Sequence, residues 1–295
     1  MKVTNKYNLP TAIVEALTSD YQYKPYQFSV TTILSGIKSF LLAKRHQNEI
    51  EMDASDGINM LLGTAVHNIF EGKENEDELA EEYIKVKVND LYSISGRFDL
   101  YNIKTEEITD YKTCSVWKIK FKDFDDWRKQ LLIYSWMLKK MGLKVKSAKI
   151  TALIKDWKKN ELKLAKLKGE QYPETPIINV VFEFNDDDFE QIEKWIVERF
   201  NQIQNAELLS DDDIPICSEE ERWYTGDKYA VMKGTNKRAI KVCDTEEEAE
   251  EFTKQDSSYW VQYRKGKNTK CEDYCNACQF CNYYKEYVEV KEDVN

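Results

Sequence analysis

The chain has 295 residues, 42% hydrophobic and 13% aromatic, enough apolar material for a real core and against wholesale disorder. Mean hydropathy is −0.66 and the longest apolar runs, such as Ala230-Val231-Met232, are far too short to span a bilayer, so no membrane partner is expected. The net charge of −10 argues against a non-specific nucleic-acid coat, because a phosphate backbone demands basic surface. It leaves room for an enzyme that gathers basic residues around one groove and keeps its acids for metal ions.

From Phe28 to about His46 a Ser/Thr cap signal leads into apolar residues at helical spacing, which predicts a helix. Ser55 to Glu71 repeats that logic, with Leu61, Leu62, Ala65, Val66, Ile69 and Phe70 as a buried stripe. His67 and Glu71 are four apart and share one face of this helix. The period then changes: Tyr92–Ile103 and Glu107–Lys112 read as two strands joined by the turn Lys104-Thr105-Glu106. Phe124–Met141 returns to helix, Ala148–Lys155 and Ile177–Phe184 read as strands, and Asp186–Ala206 as a long amphipathic helix. The expected fold class is α/β, a mixed sheet with helices packed on it. There is no internal repeat or low-complexity linker. After Pro215 the spacing predicts a small β-β-α-β unit, Tyr229–Met232, Arg238–Val242, a helix opening at Asp244-Thr245, and Trp260–Arg264. The division expected is a core over 1–210 and a small α+β subdomain with a Cys-rich, metal-binding tail over 211–295.

Chemistry concentrates at a few positions. Asp110 and Lys112 flank Tyr111 on one predicted strand and so point to the same face, where Asp99 on the neighbouring strand can reach them. Two converging acids make a hard-oxygen site suited to Mg²⁺ or Mn²⁺, and a lysine beside them can orient a water for attack on a phosphate. An Asp-x-Lys alone is commonly just a solvated face. Here His67 precedes it on a helix, and Gln130 and Tyr134 follow one turn apart on the next, where a phosphate or base can be gripped.

His67, Asp99, Asp110-Tyr111-Lys112 and Gln130-Leu-Leu-Ile-Tyr134 resemble the ordered motifs of the PD-(D/E)XK nucleases, in the branch of RecB-like and CRISPR-adaptation exonucleases. Asp53-Ala-Ser-Asp-Gly-Ile, Gly63-Thr-Ala-Val-His67, Ile108-Thr-Asp-Tyr-Lys-Thr with Val116-Trp117, and Glu221-Arg-Trp-Tyr are similar to a phage-type subgroup. The resemblance implies a restriction-endonuclease-like core, with His67, Asp99 and Asp110 as ligands of a catalytic divalent metal and the Tyr111 carbonyl as a further ligand. It implies that Lys112 positions or activates the attacking water and that Gln130 and Tyr134 orient DNA or the lysine, with Glu71 a weaker candidate. The implied activity is an exonuclease on single- or double-stranded DNA ends, in phage-type recombination, replication or repair. The alternative is a catalytically weak DNA-end-binding module. Protein partners of that role would be a recombinase, a helicase or a single-strand-annealing protein.

Seven cysteines is an odd number, and the N-terminus lacks the apolar stretch of a secretory signal, so a reducing cytoplasmic setting is expected. Cys271, Cys275, Cys278 and Cys281 fall within eleven residues, a clustering that points to metal and, by spacing alone, to those four as the ligands. The resemblance implies a four-iron four-sulfur cluster on Cys217, Cys271, Cys275 and Cys281 instead, with Cys278 a bystander and Zn²⁺ the alternative. The family's upstream cysteine belongs to the first helix, where this chain has Ser39-Phe40. Cys114 and Cys243 read as packing residues. Two basic stretches, Lys155–Lys168 and Arg264–Lys270, are where a DNA strand would be tracked.

Overall fold

Alternation is clearest over Ser147–Ile154, where half-buried and buried residues take turns, and this strand lies inside the largest sheet. The computed structural model describes residues 2–18, 23–70, 72 and 75–292, with side chains through Tyr287. In chain order the first elements are β1 (Lys2–Thr4), α1 (Thr11–Leu17), β2 (Gln27–Ser29), α2 (Val30–Leu34), α3 (Ile37–Arg45), β3 (Glu51–Asp53) and α4 (Ile58–Phe70). They are followed by β4 (Glu78–Ala80), β5 (Tyr83–Lys87), β6 (Ser93–Arg97), β7 (Leu100–Asn102), β8 (Glu107–Cys114), α5 (Val116–Phe121) and α6 (Asp125–Lys140). Next come β9 (Ser147–Ile154), α7 (Lys159–Lys168), β10 (Ile177–Glu183) and α8 (Asp186–Glu207). The last are α9 (Glu219–Arg222), β11 (Lys228–Lys233), β12 (Lys241–Cys243), α10 (Glu246–Thr253), β13 (Tyr259–Arg264), α11 (Thr269–Asp273) and α12 (Asn282–Glu292).

The chain is a mixed α/β protein that divides into two units, residues 1–34 with 47–208, and residues 35–46 with 209–295. In the first, a five-stranded sheet runs β10-β9-β8-β7-β4, with β8 and β9 parallel and the other neighbours antiparallel. A second sheet, β2-β6-β5, and the parallel pair β1-β3 complete its strands. Helix α6 packs on α8, α2, β8 and β9, burying Leu131, Ile133, Met137 and Leu138 completely. In the second unit the antiparallel sheet β12-β11-β13 carries α10 on it, the β-β-α-β order read from the sequence. Cys243 is buried there against Val231 and Ala249, and Cys114 is buried in the first unit. Among the described residues no helix is long and apolar enough to cross a membrane.

Three expectations need correction. The helix predicted over Phe28–His46 is a short strand and two helices, broken where Gly36 takes an extended conformation and begins α3. A second correction concerns Tyr92–Ile103, which is not one strand: β6 and β7 belong to different sheets, and Phe98-Asp99 forms the break between them. The third is the stripe on α4, none of whose residues is buried; Leu62, Ala65 and Ile69 are exposed, and Leu61, Val66 and Phe70 half-buried. Within the unit α4 packs against β8, α1 and the turn before it, so only part of its girth meets a neighbour. Glu71 lies outside the described residues.

Candidate active site and thiol pocket

Helix α4 carries His67, and its entry is fixed by Asp53. One Asp53 oxygen accepts from the Ser55 N–H at 3.1 Å and hydroxyl at 2.8 Å; the other accepts from the Lys6 N–H and the Thr4 hydroxyl, both at 2.9 Å. His67 Nδ1 lies 3.2 Å from Asp99 Oδ1 and 3.7 Å from Glu81 Oε1. The three form a group whose ligating atoms lie mutually within 4.8 Å. Asp99 sits in the β6–β7 break, buried, and its second oxygen accepts the Tyr111 N–H at 2.7 Å, which ties it to β8. Its carbonyl in turn accepts the Glu81 N–H at 3.1 Å. Glu81 has φ +51, a left-handed conformation uncommon for a residue with a Cβ and one that clusters at functional sites.

On β8, Asp110 is buried and Lys112 Nζ lies 2.7 Å from its Oδ2. Gln130 Nε2 donates to Oδ1 at 3.3 Å, and the buried Oδ2 faces the Lys112 ammonium. Burial pushes the Asp110 carboxyl up to about 6; Lys112 pulls against that and the Asp99 charge adds to it. The hydrogen bond to Asp99 raises His67 above the ordinary imidazole value, and burial partly offsets it. Tyr134 is buried, and its hydroxyl donates to the Arg97 carbonyl at 3.0 Å. Its ring lies over Gly96 so closely that a Cβ there would sit 2.7 Å from it. Tyr134 therefore holds the strand that leads into Asp99.

The structure thus brings His67, Asp99, Asp110, Tyr111, Lys112, Gln130 and Tyr134 together, and adds Glu81. Glu81 escaped the sequence reading because the short strands on either side of it did. The alternation Tyr83-Ile84-Lys85-Val86-Lys87 was the available signal, and Ile84 and Val86 are the buried residues of β5.

A divalent cation fits this donor set. Asp110 and Asp99 are buried carboxylates that feel one another's charge, and Asp99 and Glu81 face the His67 imidazole, a set of hard oxygen donors with one nitrogen. Protons on Asp110 and His67 must leave when a cation enters.

The second unit holds a different donor set. Cys217, Cys271, Cys275, Cys278 and Cys281 line one cavity with Ser39, Arg222 and Tyr284. Cys217 Sγ accepts the Ser39 N–H, and a Cβ on Gly36 would lie 2.5 Å from that sulfur, so the glycine makes room for the thiol. Arg222 donates to the Cys217 carbonyl at 2.6 Å and to Asn268 Oδ1 at 3.0 Å, and lies over the Tyr283 ring. Lys38 is buried with its ammonium on the carbonyls of Asp211, Asp212 and Ile214, at 2.8–3.2 Å. Burial raises the thiols of Cys217 and Cys278, and those of Cys271 to about 12 and Cys275 to about 11. A soft metal group would reverse that by binding the thiolates.

A family model described as the PD-(D/E)XK nuclease superfamily matches residues 42–221. No curated protein matches the chain. Among solved structures, SSO0001 aligns at 13% identity over 65% of this chain and 82% of its own, with TM-score 0.43. A phage-related exonuclease from Haemophilus somnus 129PT aligns at 12% identity over 57% and 73%, with TM-score 0.28. Likenesses at these scores carry no argument about activity.

Proposed function

Since the chain belongs to the PD-(D/E)XK nuclease superfamily, we propose that it is a metal-dependent deoxyribonuclease that degrades DNA from its ends. The observation that carries the reading is Asp110: a buried carboxylate with Lys112 at 2.7 Å and with Asp99 and His67 within its electrostatic reach, the latter two grouped with Glu81. When bound by His67, Asp99, Asp110 and the Tyr111 carbonyl, with Glu81 beside them, Mg²⁺ or Mn²⁺ supplies Lewis acidity to the scissile phosphate and the attacking water. Gln130 holds one Asp110 oxygen, and the other meets Lys112 at 2.7 Å. Lys112 orients the water and faces the charge that grows on the phosphate. Tyr134 acts at one remove, holding Gly96-Arg97 and thereby Asp99 in place. Asp99 does the same for β8 through the Tyr111 N–H.

The thiol pocket serves structure in this reading. A four-iron four-sulfur cluster on Cys217, Cys271, Cys275 and Cys281, or Zn²⁺ in its place, would staple α3 and the C-terminal elements within the second unit. The division into a nuclease core over 1–210 and a Cys-rich module over 211–295 belongs to the same proposal, with α3 lending Ser39 to the latter.

End-labelled linear DNA incubated with Mn²⁺ or Mg²⁺ tests the reading. Wild type digests it from the ends, and Asp110→Ala binds DNA without digesting it. Wild type that digests neither single- nor double-stranded ends, with its thiol-bound metal intact, would overturn the proposal.

A further inference from the structure

Helix α5 begins two residues beyond the end of the strand that carries Asp110 and Lys112, and the proposed nuclease chemistry leaves it without a task. Trp117 and Phe121, one turn apart on it, stack on each other with ring centres 5.7 Å apart and planes at 22°. They remain 54% and 73% exposed, so the stack offers flat aromatic surface to solvent instead of closing a core. Three lysines share the segment. Lys118 is taken up by Asp126 at 2.8 Å and Asp123 at 3.8 Å. Lys120 stands over the Trp117 ring at 4.8 Å, and among the described residues neither it nor Lys122 has a carboxylate partner.

We infer that Trp117 and Phe121 are a base-stacking platform for single-stranded DNA, so that the nuclease grips an unpaired strand beside its catalytic cluster. This rests on the nuclease reading and names its substrate. Flat aromatic faces with mobile cations next to them are what unpaired bases and their phosphates require, because every base has a π-face and every nucleotide a charge. A duplex hides those faces in its own stack. The Lys120 contact does not block the platform: an exposed cation–π contact is weaker than base stacking, and the ammonium is freed to meet a phosphate. The distance is also suitable. Trp117 follows Lys112 by five residues, hence within about 18 Å along the chain. At about 3.4 Å per stacked nucleotide that is roughly five nucleotides from the reacting phosphate. A protein ligand would more naturally seek an apolar groove than a stacked pair ringed by lysines.

The test is anisotropy of fluorescein-labelled oligothymidylate, and of an abasic oligomer of equal length, with the full-length protein in buffer without divalent metal. Wild type binds oligothymidylate more tightly than the abasic oligomer. Trp117→Ala and Phe121→Ala each weaken oligothymidylate binding by about 5- to 150-fold. Both leave abasic binding unchanged, and Trp117→Phe restores the preference for bases. Both rings are exposed, so circular dichroism of the alanine variants matches wild type. Equal binding of the two oligomers by wild type, or alanine variants that bind oligothymidylate as wild type does, would overturn the platform. Metal-dependent cleavage by wild type is followed in parallel. Cleavage without any effect of the alanine variants sinks the platform alone. Base-dependent binding that the variants lose, with no cleavage under any metal, supports the platform and sinks the nuclease reading.

Discussion

The carboxylate cluster of the first unit and the thiol pocket of the second use the same physics with opposite ligand chemistry. In both, burial drives the ionisable group toward its neutral form, Asp110 up to about 6 and Cys271 up to about 12. In both, a glycine admits a larger neighbour, Gly96 the Tyr134 ring and Gly36 the Cys217 sulfur. They differ in what holds them. Asp110 sits on the paired strand β8, and Asp99 and Glu81 sit between paired strands, tied to each other by a backbone hydrogen bond that exists without any cation, whereas the thiols come mostly from short helices and turns after Cys217. On the proposed reading the first site would use a hard cation, and a soft metal group would complete the fold at the second.

The largest expected effect separates them outright. Asp110→Ala should lower the rate of DNA cleavage by at least about 10³-fold, the equivalent of several kcal/mol of lost metal stabilisation. It should leave the metal content of the thiol pocket unchanged, as elemental analysis would show; loss of both together would mean that the sites are not independent. Cys275→Ser is the converse. Losing several kcal/mol of metal-linked folding energy should lower the melting midpoint by roughly 10 °C in calorimetry. An unchanged midpoint would remove the structural role.

Glu81→Gln sharpens the picture of the hard site. If Glu81 belongs to the cation's surroundings, Mn²⁺ affinity by calorimetric titration should fall by about 10- to 100-fold. Affinity equal to wild type would return Glu81 to the surface. The pH dependence follows from the raised Asp110 carboxyl: below about 6 it is protonated in the folded protein, and the proton must leave before a cation enters. Affinity for Mn²⁺ should therefore be about tenfold weaker at pH 5 than at pH 7, with His67 adding to the loss in the same direction. A flat profile would mean that Asp110 does not ligate. The smallest effects belong to the glycines. Gly96→Ala should cut cleavage roughly tenfold by displacing Tyr134, at a strain cost of about 1–3 kcal/mol. Gly36→Ala should instead lower the metal content of the thiol pocket, and a reversal of these two outcomes would break the parallel between them.

Much of the carboxylate cluster was legible because strand and helix periods place residues by simple rules. Asp110 and Lys112 share a face two residues apart, and Gln130 and Tyr134 share one four apart, whatever surrounds them. Asp99 lies near Asp110, though not by the route the sequence suggests. It does not lie on a continuous hairpin strand but in the break where the chain passes from one sheet to another, and that break frees its carboxylate to face His67 on one side and the Tyr111 N–H on the other. The α4 stripe misled because periodicity reports which residues share a face, not whether the fold covers that face.

The sequence by itself determined the donor chemistry available and the order of the motifs, since these depend on residue type and on spacing within single elements. Only the tertiary structure decided that Glu81 joins His67 and Asp99, that Gly36 and Ser39 cradle Cys217, and that Trp117 and Phe121 stack in solvent. The reason is that such contacts join residues that local spacing does not relate, or depend on what the packing leaves uncovered. Local period carries no information about either.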